Sequence, residues 1–117
     1  MGAKIQSLSQ EECIGSYEAS PAHFNPNGIL HGGALYTAMD SNQGAFVHFI
    51  LEEKYIAAAT GTATIKYLAP IRGGKIKIRT YLKARENRKL FINSSASDEA
   101  GHEVATLEEI WIPILPK

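Results

Sequence analysis

Cysteine is almost absent from this chain, since Cys13 is the only one among 117 residues. A single cysteine excludes an intrachain disulfide. Metal-site spacings are also lacking, because the four histidines form no His-x-x-x-His pair and no cysteine pair exists beside them. Neither of the glycine-rich patterns that cradle phosphate groups, GxxxxGK(S/T) and GxGxxG, occurs. We therefore expect no metal site and no bound nucleotide cofactor.

An excess of charge of one sign is missing as well. Lys and Arg together number 12, Asp and Glu also number 12, and the formal net charge is zero. This balance argues against a nucleic-acid binder that relies on a broad basic surface. No apolar run is long enough to span a bilayer, and residues 1–10 lack the apolar stretch of a signal peptide. These absences predict a cytoplasmic protein with neither a nucleic-acid nor a membrane partner.

The length of the chain suits one domain, residues 1–117. A domain of this size can bury a core, but it has little room for a deep active site of its own. We therefore expect any active site to be shared between subunits.

One long helix is predicted from Gly32 or Gly33 to about Glu53. Its apolar residues recur at helical intervals and no proline interrupts them. The preceding segment, residues 19–30, is rich in Pro, Asn and Gly and is predicted to be a loop. Since the helix is apolar over much of its surface, it should be buried on several sides.

Strands account for most of the remaining chain. A first strand is predicted at 11–18, before the helix, and alternating apolar and polar residues predict four more after it, at about 59–67, 75–85, 90–97 and 102–114. Short turns join these four strands, which favours antiparallel neighbours. A long apolar helix needs a sheet to cover it. The predicted fold is therefore α+β, with a curved antiparallel sheet of about five strands wrapped around one central helix.

Two features of the helix have alternative interpretations when read from the residues alone. Asp40 is the one ionisable residue deep in the helix, and a carboxylate there costs free energy unless it is paired or hydrogen-bonded. It belongs either to a polar patch at solvent or a subunit interface, or to a catalytic site. The His31-Gly32-Gly33 segment at the helix start is either a structural turn or an oxyanion site made of free N–H groups.

The two features together resemble a known family. The pattern Asn25-x-x-Gly28-x-x-His31-Gly32-Gly33 is followed by Asp40, nine residues after the histidine. This arrangement resembles the signature of hotdog-fold thioesterases, most closely the phenylacetate-degradation type within the 4-hydroxybenzoyl-CoA thioesterase superfamily. The segments 66–70 and 72–74 resemble the strand and turn after that family's helix. Residues 25–85 carry the similarity, which implies a single hotdog thioesterase domain.

The resemblance implies an activity and a role for each motif residue. The activity is hydrolysis of acyl-CoA thioesters to a free acid and CoA, with Asp40 as nucleophile or general base. The Gly32 N–H is implied to donate to the thioester oxygen. Asn25 is implied to place water or substrate, and His31 to support the loop and the carbonyl end of the site. Thr60 is implied to orient the attacking water.

The separation of these residues along the helix predicts an assembly. Asp40 lies about 13 Å along the helix axis from His31 at the usual rise per residue. The family's arrangement takes the loop and Gly32 from one subunit and Asp40 from the next. The chain is therefore expected to form a homodimer, or a homotetramer built as a dimer of dimers, with Asn42 and Gln43 as polar groups near the interface.

Coenzyme A, as part of the substrate, is the expected partner, and no separate cofactor is implied. Arg72, Arg85 and Arg88 are the candidates for its phosphates, because guanidinium groups suit them, and Gly33 is a further candidate for substrate contact. The other basic residues of 75–85 are interpreted as a solvated strand face.

Two other functions remain as alternatives. The chain could bind acyl-CoA as a sensor without turnover, or act as a hotdog hydratase or dehydratase, which uses an Asp–His pair at a different spacing. The presence of Asp40 favours hydrolysis over sensing, and the nine-residue separation from His31 favours a thioesterase over a hydratase.

Overall fold

The computed structural model describes residues 3–117. Within this range one α-helix is followed by four long strands and preceded by two short ones and a 3-10 turn. The elements are β1 (Ala3–Leu8), β2 (Cys13–Glu18), the turn (Pro21–His23), α1 (Gly32–Ile50), β3 (Ala57–Tyr67), β4 (Lys75–Glu86), β5 (Lys89–Ser97) and β6 (Glu103–Ile114).

All six strands form one antiparallel sheet in the order β1-β2-β4-β5-β6-β3. The hairpin between β4 and β5 turns at Asn87 and Arg88, whose φ angles are 47° and 66°. Although β3 directly follows the helix, it pairs with β6 at the end of the sheet. The two edges of the sheet are therefore β1 and β3.

The predicted hotdog architecture is confirmed, with two corrections. The sheet has six strands rather than about five, because β1 was not predicted. Apolar and polar residues alternate in β1 only over residues 3–6, and five of its six residues are exposed, so its pairing with β2 is the main evidence that it is a strand. The helix ends at Ile50 rather than near Glu53, since Leu51 already has an extended backbone (φ −64°, ψ 133°).

The helix packs its apolar residues against the concave face of the sheet, and the core falls into two clusters. The first surrounds the N-terminal half of α1, where Met39 meets the inward side chains of β4 and β6. The second surrounds Phe46 and Val47 and includes Trp111 of β6. Met39, Phe46 and Val47 are fully buried, and their burial holds α1 in one position on the sheet.

The prediction that Asn42 and Gln43 lie at a subunit interface is wrong, because both side chains are buried inside the protomer, at 3% and 0% exposure. The Asn42 amide donates to Thr80 Oγ1 at 2.7 Å. The Gln43 amide donates to Ser94 Oγ at 3.0 Å, and its oxygen accepts the Trp111 indole N–H at 2.9 Å. Buried amides need such partners, and here they anchor the helix to the sheet.

Candidate active site

The start of α1 presents two backbone amides without acceptors. His31 is the N-cap residue, and its carbonyl accepts the N–H groups of Ala34 and Leu35 at 3.1 and 3.4 Å. Among residues 3–117 no group accepts a hydrogen bond from the N–H of Gly32 or Gly33. Free N–H groups at the positive end of a helix dipole attract an oxyanion. The amide assigned to Gly32 by resemblance is thus available to a ligand.

The loop before the helix is shaped by Asn25. Its side-chain oxygen accepts the N–H groups of Asn27 and Ile29 at 2.9 and 3.0 Å. Gly28 completes the turn with a φ of 73°, a value that favours glycine. The oxygen of Asn25 is therefore committed to the loop, and its amide nitrogen, which has no acceptor within the described residues, remains for a ligand.

Backbone hydrogen bonds fix the end of this loop. The His31 N–H donates to the His23 carbonyl at 2.8 Å, and the Leu30 N–H donates to the Ile71 carbonyl at 2.8 Å. The imidazole of His31 is exposed and makes no capping hydrogen bond. Its backbone, rather than its ring, supports the helix start in this protomer.

Tyr67, a residue that the sequence analysis did not single out, closes against the helix start. Its hydroxyl donates to the Gly32 carbonyl at 2.7 Å. A Cβ atom at position 32 would lie 2.7 Å from Cζ of the Tyr67 ring, whereas a Cβ at Gly33 would meet nothing within 4 Å. A side chain at position 32 would therefore displace the Tyr67 ring. The two residues are 35 positions apart in the sequence. A contact over that separation cannot be predicted from the local sequence.

A cavity of about 460 Å³ opens beside Gly32 and Tyr67. Apart from these two residues, its walls are apolar and carry no charged side chain: Ile29, Leu30, Leu35, Leu68, Ala69, Pro70 and Ile71. An apolar group of a ligand can be buried here, next to the free amides of the helix.

Asp40 lies two helical turns after Gly32 and is partly buried. Tyr36, one turn earlier, shares its side of the helix. Glu109 of β6, which is only 1% exposed, is close enough to both residues to interact with them. One carboxyl oxygen of Glu109, Oε2, accepts the Tyr36 hydroxyl at 3.2 Å, and the other, Oε1, has no partner among the described residues. The site therefore contains two neighbouring carboxyl groups instead of the single one predicted.

The surroundings of Glu109 favour its neutral form. Burial first, and then the adjacent carboxyl group and negative charge of Asp40, raise the pKa of Glu109 to about 8. Burial, followed by the charges of Glu109 and Asp40, also raises the pKa of Tyr36. The protonated, neutral form of Glu109 is therefore favoured more strongly than in an exposed carboxyl group.

A sequence signal for Glu109 does exist. Residues of β6 alternate between the two faces of the sheet, and Leu107, Glu109 and Trp111 share the buried face. A carboxylate two residues away from each of two large apolar residues in a strand points to the same face as they do, which indicates a buried acid. Glu109 could therefore have been predicted from strand parity, although it was not.

The remaining predicted residues are not gathered at one place in the protomer. Thr60 is exposed on the edge strand β3, paired in register with Trp111. Arg72 donates to the Asn27 carbonyl at 3.4 Å, close to the loop. Arg85 pairs with Glu52 at 3.9 Å, just beyond the opposite end of α1, a helix of 19 residues. Arg88 occupies the nearby β4–β5 turn. Since 19 residues span about 28 Å, the three arginines do not form one site within a protomer.

Neither a metal cluster nor a membrane span is found in the described part of the chain. Among residues 3–117 no three His, Cys, Asp or Glu side chains are grouped so that they could hold a metal ion. No helix in the same range has both the length and the apolar character that crossing a membrane requires.

Comparison with known proteins identifies a family and a set of similar folds. The sequence-family model for the thioesterase superfamily matches residues 27–105, about two thirds of the chain. A phenylacetic acid degradation-related protein from Ralstonia eutropha JMP134 is 24% identical, with 94% of this chain and 83% of that chain covered and a TM-score of 0.85. No curated protein matches this sequence.

Two similar structures contain a coenzyme A moiety. A hypothetical thioesterase protein with coenzyme A from Streptococcus pneumoniae TIGR4 is 16% identical, with 98% of this chain and 88% of that chain covered and a TM-score of 0.86. A protein from Streptococcus mutans UA159, bound to acetyl-CoA, is 18% identical, with coverages of 100% and 92% and a TM-score of 0.88. At these identities the likeness establishes the shared fold.

Proposed function

The chain belongs to the thioesterase superfamily, and from this premise we propose that it hydrolyses acyl-CoA thioesters to a free acid and coenzyme A. One observation carries the proposal. The same helix offers two amides at its start that have no acceptor among residues 3–117, and a partly buried carboxylate, Asp40, in its middle. The coenzyme A found with two proteins of the same fold supports an acyl-CoA substrate.

The amides at the start of α1 supply the electrophilic half of the proposed reaction. When the thioester carbonyl oxygen accepts the Gly32 N–H, the amide and the helix dipole stabilise the negative charge that develops in the tetrahedral intermediate. The adjoining cavity would hold the acyl group against its apolar walls. Because no charged residue lines that cavity, uncharged acyl groups are the proposed substrate class.

Asp40 supplies the nucleophilic half in one of two ways. As a general base it takes a proton from water, the water oxygen bonds to the carbonyl carbon, the C–S bond breaks, and the proton passes to the departing thiolate. As a nucleophile it forms an anhydride with the acyl group, releases the thiolate, and is freed when water hydrolyses the anhydride. Both routes require the ionised carboxylate.

A second copy of the chain is needed to join the two halves. Gly32 and Asp40 lie on one helix, eight residues and about 12 Å apart along its axis. Reacting atoms must approach to about 3–3.5 Å, so a Gly32 amide and the Asp40 of the same protomer cannot serve one carbonyl. We therefore propose that each site combines Gly32 of one protomer with Asp40 of its partner.

The edge strand β3 is the surface that we propose joins the protomers. It is 11 residues long, and its central residues 59–64 are all exposed. Lys66 is its one charged residue, so little opposes pairing with another strand edge. A two-fold axis at this edge would extend the sheet across both protomers and produce two equivalent composite sites.

Among the three arginines, Arg72 is the leading candidate for the coenzyme A phosphates. It lies beside the loop that leads to Gly32. Arg85 and Arg88 lie at the far end of α1, so they could serve the same coenzyme A only from another protomer. The cytoplasm remains the proposed compartment, because the single thiol, Cys13, is free and buried.

The test is thiol release from a panel of acyl-CoA thioesters by the wild type and by the Asp40→Asn variant. We expect kcat to fall about a thousandfold in the variant, as for loss of a catalytic carboxylate. Asp98→Asn is the matched control, since Asp98 lies in the β5–β6 turn and should leave kcat unchanged. Sedimentation and circular dichroism would establish that each variant still folds and assembles.

Equal rates for Asp40→Asn and the wild type would contradict the role given to Asp40. Tight binding of acyl-CoA without thiol release would replace hydrolysis with the sensor function. Hydration of an enoyl-CoA without thiol release would identify a hydratase instead.

A further inference from the structure

We propose that Glu109 is a positioning residue for this reaction, and that its neutral carboxyl group donates a hydrogen bond to Asp40 and fixes the orientation of the Asp40 carboxylate. This proposal rests on the proposed thioesterase function. Glu109 itself is 1% exposed, so it acts on Asp40 and not on the substrate directly.

The geometry around Glu109 leaves one oxygen for Asp40. Oε2 already accepts the Tyr36 hydroxyl at 3.2 Å. Oε1 is buried and has no hydrogen-bond partner among the described residues. A proton on Oε1 turns that orphaned atom into a donor, and the neighbouring Asp40 carboxylate is the acceptor within reach. A buried polar atom without a partner costs free energy, and this arrangement removes the cost.

The groups that face Glu109 provide no counter-charge. From α1 it is faced by Tyr36 and Asp40, and from its own strand by Trp111. In the sheet its register partners are Ala63 of β3 and Ile92 of β5. Glu109 forms no ion pair with a Lys, Arg or His side chain in the described part of the chain. If Glu109 were ionised, the charge facing it would be the negative charge of Asp40. Because two like charges repel, a proton held between the two carboxyl groups is favoured.

The consequence for catalysis is a carboxylate held in one rotamer. Among residues 3–117 the Asp40 side chain has no other hydrogen-bond partner, so the Glu109 donor is the group that would orient it. Loss of that donor would let the Asp40 side chain reorient, so its carboxylate would spend less time in the orientation needed to activate water or attack the thioester carbon. As pH rises and Glu109 ionises, the donor is lost and the two carboxylates repel one another. Activity should therefore decline on the alkaline side.

Two substitutions separate this role from simple packing. Glu109→Gln keeps an N–H donor for Asp40 and an oxygen for Tyr36, so we expect kcat within threefold of the wild type and no alkaline decline near pH 8. Glu109→Leu keeps the bulk but has no donor, and we expect kcat to fall 10- to 100-fold with KM within twofold. Glu108→Gln, the exposed neighbour on the same strand, is the matched control and should match the wild type in both respects.

The result that would overturn the proposal is an alkaline decline retained in Glu109→Gln, or a kcat for Glu109→Leu equal to that of the wild type. If Glu109→Leu fails to fold or assemble, the pH profile of Glu109→Gln decides alone.

A readout without activity distinguishes this proposal from the proposed function. Carboxyl carbon NMR should show Glu109 titrating well above the ordinary range in the wild type, and closer to that range in Asp40→Asn. An ordinary titration of Glu109 in the wild type would refute the shared proton even in an active thioesterase. Conversely, a raised titration that responds to Asp40→Asn, in a protein without thioesterase activity, would refute the catalytic use of the pair.

Discussion

The free energy of unfolding should fall as pH rises from about 5 to about 8, and Glu109 should be responsible. Its pKa is about 8 in the folded protein, against an ordinary value of 4.5. Between these values the folded chain holds a proton at Glu109 that the unfolded chain has released. Stability decreases with pH wherever the unfolded state binds fewer protons. The contribution is therefore complete below pH 4.5 and lost as pH approaches 8.

The size of the effect follows from the two pKa values. Each pH unit within the window costs about 1.4 kcal/mol, so the loss between pH 5 and pH 8 is about 3 kcal/mol. That is a large share of the roughly 5–15 kcal/mol that stabilises an ordinary domain. Glu109→Gln removes the titrating group and keeps an acceptor for Tyr36, so its stability should not show this decline.

The assay is urea denaturation at pH 5, 6, 7 and 8, followed by circular dichroism at one fixed protein concentration, because assembly makes stability depend on concentration. The difference in unfolding free energy, Glu109→Gln minus wild type, should grow by about 3 kcal/mol across this range. Contributions from every other group are common to both proteins and cancel in the difference. Glu108→Gln should remain parallel to the wild type. If the curves of Glu109→Gln and the wild type are parallel as well, the raised pKa of Glu109 is wrong.

Two further substitutions test contacts that the fold creates. Gly32→Ala should displace the Tyr67 ring and lower the free energy of unfolding by about 1 kcal/mol through loss of the hydrogen bond to the Gly32 carbonyl. Gly33→Ala, the control, should leave the melting temperature unchanged or raise it. Equal melting temperatures for the two variants would contradict the steric argument. Gln43→Leu should cost about 2–4 kcal/mol in urea denaturation, because it leaves the buried Trp111 N–H unpaired. Adding Trp111→Phe should cost less than the sum of the two single changes, and strict additivity would show that the Gln43–Trp111 bond contributes nothing.

Much of the fold was determined by local sequence. The apolar recurrence that begins at Gly32 specifies a buried helix, and period-two alternation with short turns specifies the four strands that follow it. The pattern from Asn25 to Asp40 lies within 16 consecutive residues, so the resemblance to thioesterases was visible without a structure. These features could be read because each depends on residues that are neighbours along the chain.

Other features depend on how the elements pack, and the sequence did not reveal them. The alternation in β1 covers only residues 3–6, and the strand becomes evident through its pairing with β2. The polarity of Asn42 and Gln43 indicated an interface, but the rotation of α1 about its axis turned both inward to bond with the sheet.

The pairing of Asp40 with Glu109 was also decided by tertiary structure. Sixty-nine positions separate the two residues. The strand parity of β6 determines that Glu109 faces the core, and the helix periodicity determines which side of α1 carries Asp40. Only the angle and register at which α1 packs on the sheet determine that these two sides meet. That packing places a second carboxyl group, Glu109, beside the predicted carboxylate.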